Sequence, residues 1–523
     1  MRYNKTLNQW NFTLGDYKAK VTVPHTWNVD DEVMTHRGKA TYETSVFIEE
    51  EYKDKCIFLQ FNAVYHSAKI YINNSYVKEH SRSGFTPFKV DITDFVYFDK
   101  DNIIKVEVDN EKSDNMLPHS GDFDWADDGG IIRRVELQIR EKDCIEYMHI
   151  SEDISAIKNN TASGMLSIKT NINKPKKICV YDYMTGEKVI ESESLNIPFE
   201  NLKLWSCYSP NLYIVTLETD NDLLEERIGI RKIETKGEKV YLNGKELYLK
   251  GCEWMPGSHP DFGMAEPLDI SIKHLKQLKA AGCVFTRFHW QQDSTLFDWC
   301  DENGLLVQEE IPYWGYPKQA TPLQLDIAKQ QADEMIYYHF NHPSVVCWGV
   351  GNELGAETQE TINYVKDIYK YIKDKDSRRL VNYVSNTLSR VENIEKDDAT
   401  LHGDIAMWND YLGLWEPSDN IPEHMIRTCK KAEGMPLLVS EFGLCEPHFK
   451  GGDTERARIL RERLEMYEKI SNICGYMWFS LNDYRTHCGE EGENKLRRRV
   501  HGSTDLYANE KPSYRLLYKL QKE

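Results

Sequence analysis

The chain has 523 residues, with 84 acidic against 65 basic side chains, a formal net charge of −19 and a sequence pI near 5.4. That balance disfavours nucleic acid and anionic membranes as partners, because either would be repelled over most of the surface. The length predicts about two to four domains and enough core to bury a cleft.

The opening stretch from Met1 to Trp10 has no apolar core and no small-residue cleavage site, and no later apolar run reaches membrane-spanning length. The twelve cysteines contain no Cys-x-x-Cys pair, which predicts free thiols in a reducing compartment, hence a soluble cytoplasmic protein. Up to about residue 140, short alternating segments such as Cys56 to Phe61, Lys69 to Ile72 and Ile103 to Val108 predict an all-β module. From about 142 to 232 the same grammar continues in Met165 to Thr170, Ile178 to Tyr183 and Leu212 to Leu217, which predicts a second, smaller sandwich.

After Gly237 apolar runs alternate with long amphipathic stretches such as Ile270 to Ala281, Leu323 to Phe340 and Gln359 to Asp374, the pattern of parallel strands with helical crossovers. Eight candidate strands follow: Leu249 to Trp254, Cys283 to Trp290, Leu305 to Pro312, Val345 to Asn352, Leu380 to Ser385, Asp404 to Trp408, Pro436 to Glu441 and Gly475 to Ser480. They predict a (β/α)₈ TIM barrel. On this count Glu353 follows strand four and Glu441 closes strand seven, on the face where such barrels hold their chemistry. Two carboxyls in different surroundings suit glycosidic bond cleavage, in which one protonates the leaving oxygen while the other attacks or activates water. The short basic run Lys495 to Arg499 reads as a solvated loop.

Motifs along nearly the whole chain resemble those of glycoside hydrolase family 2, the β-galactosidases, β-glucuronidases and β-mannosidases. They include Val23-Pro24-His25-Thr26-Trp27-Asn28, Gly84-Phe85-Thr86-Pro87-Phe88 and Gly129-Gly130-Ile131-Ile132-Arg133-Arg134-Val135, then Phe297-Asp298-Trp299-Cys300-Asp301-Glu302-Asn303-Gly304 and Asn341-His342-Pro343. The resemblance implies a jelly-roll sugar-binding sandwich over 1–141, an immunoglobulin-like sandwich over 142–235 and a catalytic barrel over 236–523. It also implies a carbohydrate substrate and leaves homo-oligomerisation open.

Carried over residue by residue, it implies Glu353 as general acid/base and Glu441, in Ser-Glu-Phe-Gly, as nucleophile of a retaining mechanism, with a β-galactoside favoured. Asn352 matches a contact to the sugar 2-hydroxyl, Tyr411 the tyrosine that orients the nucleophile, Trp478 an aromatic floor and His289 a donor to a sugar hydroxyl. Glu253 and Trp254 fall in the loop after strand one, where they are expected to line the sugar pocket. Asp124 matches an aspartate reaching over from the sandwich, with Asp122 and Asp127 as alternatives. Competing structural roles are a strand-end cap for Asn352, a core place for Tyr411 and Trp478, and barrel support for His289 and Arg287. The Glu-x-His ligands of the magnesium-dependent members are replaced by Ile311-Pro312-Tyr313-Trp314-Gly315-Tyr316, so no metal or other cofactor is expected. The Asn-x-Lys pair of the glucuronidases falls near His501-Gly502-Ser503 and is missing, although Arg497 to Arg499 offer a substitute cation.

Overall fold

The computed structural model describes residues 2–119, 124–315, 318–393, 395–446, 448–486 and 497–522. In the N-terminal sandwich a sheet of Arg2–Thr6, Val135–Arg140, Cys56–Phe61 and Phe88–Asp91 faces a six-stranded sheet built around Lys39–Ile48 and Lys100–Asp109. Those two central strands pair antiparallel from Lys100 opposite Ile48 to Asp109 opposite Lys39. Their alternation sends Ala40, Tyr42, Val46, Ile48, Ile104, Val106 and Val108 into one core, since a strand has a side-chain period of two. The second sandwich packs a three-stranded sheet, Met148–Lys158, Thr161–Thr170 and Asn196–Lys203, with a four-stranded one, Lys188–Ser192, Lys177–Asp182, Tyr213–Glu218 and Leu223–Ile228. Its core of Ile150, Leu166, Val180, Phe199 and Val215 is immunoglobulin-like in layout.

The remaining chain closes an eight-stranded parallel barrel: β1 Leu249–Cys252, β2 Phe285–Phe288, β3 Leu306–Glu310, β4 Val345–Asn352, β5 Leu380–Ser385, β6 Ala406–Asn409, β7 Leu437–Glu441 and β8 Ile473–Trp478. These strands are buried on both faces, which is why they read as continuous apolar runs. Helix starts carry their caps in the sequence: Asp293 accepts from Thr295 N, Thr321 precedes a helix opening on Pro322, and Thr358 accepts from Thr361 N. Between β5 and β6 the crossover is reduced to 3₁₀ turns, Val391–Asn393 and Ala399–His402, which leaves a long irregular loop beside β4.

The sandwich is fastened to the barrel mouth by buried contacts. The Arg133 guanidinium donates to the Phe85 carbonyl at 2.6 Å and the Gln291 carbonyl at 2.5 Å, while Trp125 stacks on Trp290 with ring centroids 4.7 Å apart. From the second sandwich side, Arg231 donates to the carbonyls of Pro343 at 3.1 Å and Val345 at 2.8 Å, holding the start of β4.

Barrel closure depends on close approach between β1 and β8, in register from Leu249 opposite Gly475 to Cys252 opposite Trp478. A Cβ on Gly475 would lie 2.4 Å from the Leu249 carbonyl oxygen, so only glycine fits there. Gly475→Ala is expected to destabilise by about 1–3 kcal/mol through overpacking. A thermal unfolding midpoint at or above that of the parent chain would disprove the constraint.

Candidate active site

Glu353 owes its position to an irregular end of β4. Gly351 has φ +153° and Glu353 itself φ +54°, a left-handed conformation that costs a non-glycine residue and persists only where the surroundings impose it. Here Asn352 N donates to the Tyr313 carbonyl at 2.8 Å, Glu353 N to the Val384 carbonyl at 3.0 Å and Leu354 N to the Tyr383 hydroxyl at 2.7 Å. The turn presents the Glu353 carboxyl to Trp314 Nε1 at 2.9 Å and to Asn409 Nδ2 at 2.7 Å. Burial raises its pKa above the usual carboxylate value, and these two neutral donors offset only part of that rise.

Glu441, the last residue of β7, is 5 % exposed and meets different donors. Arg287 Nη2 lies 3.1 Å from one oxygen, and the Tyr411 hydroxyl donates to the other at 3.0 Å. Burial pushes the Glu441 carboxyl up to about 8, with Arg287 pulling it down and Glu353 and Glu253 pushing it up. Two buried carboxyls that interact titrate as a pair rather than one by one. A guanidinium and a phenol stabilise charge on Glu441, whereas Glu353 meets an amide and an indole.

Arg287, on β2, is completely buried and also pairs with Glu253 at 3.3 Å and Glu310 at 3.2 Å. His289 sits between the same two glutamates, 2.7 Å from Glu253 and 3.4 Å from Glu310. Burial disfavours its charge, but Glu253 outweighs burial and holds the imidazole pKa up to about 10.

Glu353 and Glu441 line one cavity of about 700 Å³ in the barrel mouth. Asp124 from the sandwich, Phe479 after β8, and Arg499 and His501 close one side. Arg499 Nε pairs with Asp124 at 2.7 Å, and the Tyr484 hydroxyl donates to the same aspartate. The basic run is thus not a simple solvated loop: Arg498–Arg499 pairs antiparallel with Tyr484–Arg485, and Arg499 reaches the cavity, while Lys495 lies outside the described residues.

Several expected pocket residues are found behind the cavity wall. Trp254 is 1 % exposed and packs in the barrel core against Phe288 and His274. Trp478 is fully buried, edge-on to Phe442 with its indole donating to Ser503 Oγ at 2.8 Å, and the adjacent Phe479 faces the cavity instead. Glu253 and His289 are drawn into the ion network around Arg287, and His289 also stacks on Trp125 with centroids 5.5 Å apart. Asn352 is 2 % exposed and accepts from Asn409 Nδ2 at 3.3 Å. Tyr411 and Asp124 do line the cavity. Of the alternatives to Asp124, Asp127 pairs with Arg37 and Asp122 lies outside the described residues.

Sequence reasoning assigned Arg287 a structural role and singled out neither Trp314 nor Asn409, yet all three touch the two carboxyls. Asn409 ends β6 just as Glu441 ends β7, so its place at a strand's carboxyl end was the available signal. Trp314 sits in the loop that follows β3, where the metal ligands of other members would fall. Among the described residues, Glu253, His289 and Glu441 bring ligand atoms within 4.8 Å of one another, as do Asp298, Asp301 and His342. Neither set is arranged for a divalent ion, because Arg287 and Arg227 already occupy the carboxylates.

A closed barrel with two buried, differently solvated carboxyls at the ends of its fourth and seventh strands has the construction of a hydrolase of glycosidic bonds. Comparison with known proteins agrees. Residues 233–484 match the model described as glycosyl hydrolases family 2, TIM barrel domain, and residues 7–140 that of the family 2 sugar binding domain. The chain belongs to glycosyl hydrolase family 2. It is 30% identical over 533 residues to a β-galactosidase of Thermoanaerobacterium thermosulfurigenes, covering 93% of this chain and 70% of that one. A β-glucuronidase of Bacteroides fragilis is 28% identical over 485 residues, covering 83% and 67%. The solved β-D-glucuronidase of Dictyoglomus thermophilum shares the fold with a TM-score of 0.90 at 23% identity, covering 100% of this chain and 97% of that one.

The raised pKa of His289 gives a stability signature. Its folded value near 10 exceeds the ordinary imidazole value of 6.5, so its contribution is fully present below the unfolded pKa and is lost as pH rises through the folded one. Between those limits His289→Gln is expected to show a flatter fall of unfolding temperature with pH than the parent chain, and parallel slopes would refute the charged imidazole.

Proposed function

We propose that the protein is a retaining, exo-acting β-glycosidase in which Glu441 is the nucleophile and Glu353 the general acid/base. The carrying observation is the asymmetry of donors around two carboxyls in one cavity: Arg287 and Tyr411 on Glu441, Trp314 and Asn409 on Glu353. Ionised Glu441 attacks the anomeric carbon while Glu353 gives its proton to the leaving oxygen. Glu353 then takes a proton from water, which releases the sugar from its ester with Glu441 and restores the first state. The closed side formed by Asp124, Phe479, Arg499 and His501 suits a terminal sugar.

For the glycone, a neutral β-galactoside is the first reading. The cavity is lined by Asp124, Glu353, Glu392, Glu416 and Glu441 against Arg390 and Arg499, and Arg499 is matched by Asp124, an acidic balance that disfavours a uronate. A β-glucuronide is the second reading. It is favoured by the position of Arg499 in the cavity and by relatives named β-glucuronidase.

Glu441→Gln is expected to abolish turnover, and azide to rescue Glu441→Ala with a glycosyl azide of inverted configuration. Glu353→Ala should spare substrates with very good leaving groups at the first step and cripple those with poor ones. Near-normal activity in Glu441→Gln, or an equal loss across leaving groups in Glu353→Ala, contradicts the roles. Rates on a matched panel of aryl β-galactoside, β-glucuronide and β-mannoside decide the sugar, with the β-galactoside expected fastest.

A further inference from the structure

A second cavity, of about 610 Å³, lies in the seam where the N-terminal sandwich meets the barrel, and it shares no lining residue with the catalytic one. The sandwich supplies one wall, with Phe85 and Ile132, and the barrel the other, with Met264, Trp290 and Leu296. Phe85, Ile132, Trp290 and Leu296 are each 5 % exposed or less, and Phe85 stacks on Trp290 with ring centroids 5.6 Å apart, so this floor is packed and apolar. Two further lining residues, Phe262 and Leu268, are 37 % and 40 % exposed and mark the opening. They flank the 3₁₀ turn Gly263–Ala265, which leads from β1 into the helix Leu268–Ala280.

Most of the charged groups in this cavity are already matched. Arg134 pairs with Asp293 at 3.5 Å and Glu136 at 3.3 Å, and Arg133 is committed to the carbonyls of Phe85 and Gln291. Burial holds the His25 imidazole down to about 4, so it carries no charge. Glu266 differs. Its Oε2 accepts from Gly257 N at 3.3 Å and from Ser271 Oγ at 3.2 Å, its buried Oε1 has no hydrogen-bond partner, and no cation among the described residues pairs with it. Burial raises this carboxyl to about 7, and the neutral donors around it and the charge of Arg485, itself paired with Asp128, offset only part of that rise.

We propose that the seam cavity is a second binding site, for a small aromatic ammonium compound whose ring lies among Phe262, Met264 and Trp290 and whose ammonium meets Glu266. A concave apolar site with few polar groups is the usual construction of a small-molecule pocket, and flat rings and a thioether suit an aromatic body. A carboxyl in such surroundings without a countercharge favours a ligand that brings one, through a charge-assisted hydrogen bond strengthened by the low local dielectric. Because the walls come from two domains, the bound molecule touches both and stabilises the sandwich on the barrel.

The test uses the whole chain at about pH 8, where Glu266 is largely ionised and a primary amine still protonated, with three probes of similar shape: tryptamine, the neutral tryptophol and the anionic indoleacetate. Calorimetry is expected to give one tryptamine site, with tryptophol at least about tenfold weaker and indoleacetate weaker still, and tryptamine should raise the unfolding temperature. Glu266→Gln is expected to cut tryptamine affinity at least about tenfold and to change tryptophol less than about twofold. Phe262→Ala, on the exposed rim, should weaken both probes alike, and tryptamine binding should survive Glu441→Gln, which lies in the other cavity. Tryptamine affinity should also fall as pH drops through about 7 and Glu266 takes up a proton. No tryptamine binding up to its solubility limit, equal affinity for tryptamine and tryptophol, undiminished binding in Glu266→Gln, or binding lost in Glu441→Gln would overturn the site. Should Glu266→Gln fail to fold, Phe262→Ala decides, since unchanged affinity for both probes there would show that they bind elsewhere.

Discussion

The site is organised around one buried guanidinium. Arg287 has no exposed surface and lies within 3.3 Å of carboxylates from three strand ends, Glu253, Glu310 and Glu441. An unpaired charge at that depth would be strongly unfavourable, and so would any of the three carboxylates without it. Each member therefore holds the others in place. Of the three carboxyls, Glu441 is the one that lines the cavity.

This arrangement explains why the fold was more legible than the site. Strand and helix positions follow from periodicity and capping, which are local: the eight barrel strands are found within a few residues of the apolar runs, and Thr321-Pro322 and Asp293 mark helix starts. The two strand-end glutamates were legible for the same reason. Their neighbours were not, because a run such as Thr286-Arg287-Phe288-His289-Trp290 does not say which alternate residues point into the barrel. Arg287 and His289 both do, and both are paired with Glu253 and Glu310. Trp478 and Phe479 show a similar ambiguity: of two adjacent aromatics, the second faces the cavity.

Homology carries the class of chemistry further than it carries the sugar. Family membership is shared by relatives named β-galactosidase and β-glucuronidase at nearly equal identity. The difference between such substrates is read by a few polar contacts on otherwise similar walls. In this chain Asp124, Arg499 and His501, which line the cavity, come from a sandwich loop and from the segment after β8, not from the barrel strands.

The pairing of Asp124 with Arg499 and Tyr484 has a consequence for synthesis. Asp124 and Tyr484 stand 360 positions apart, and they join a loop of the N-terminal sandwich to the segment that follows β8. A nascent chain can complete both sandwiches and all eight barrel strands while this side of the cavity is still missing. This side of the cavity thus closes only after the eighth strand has been made, and a product terminated before Tyr484 retains the acidic pair without that wall.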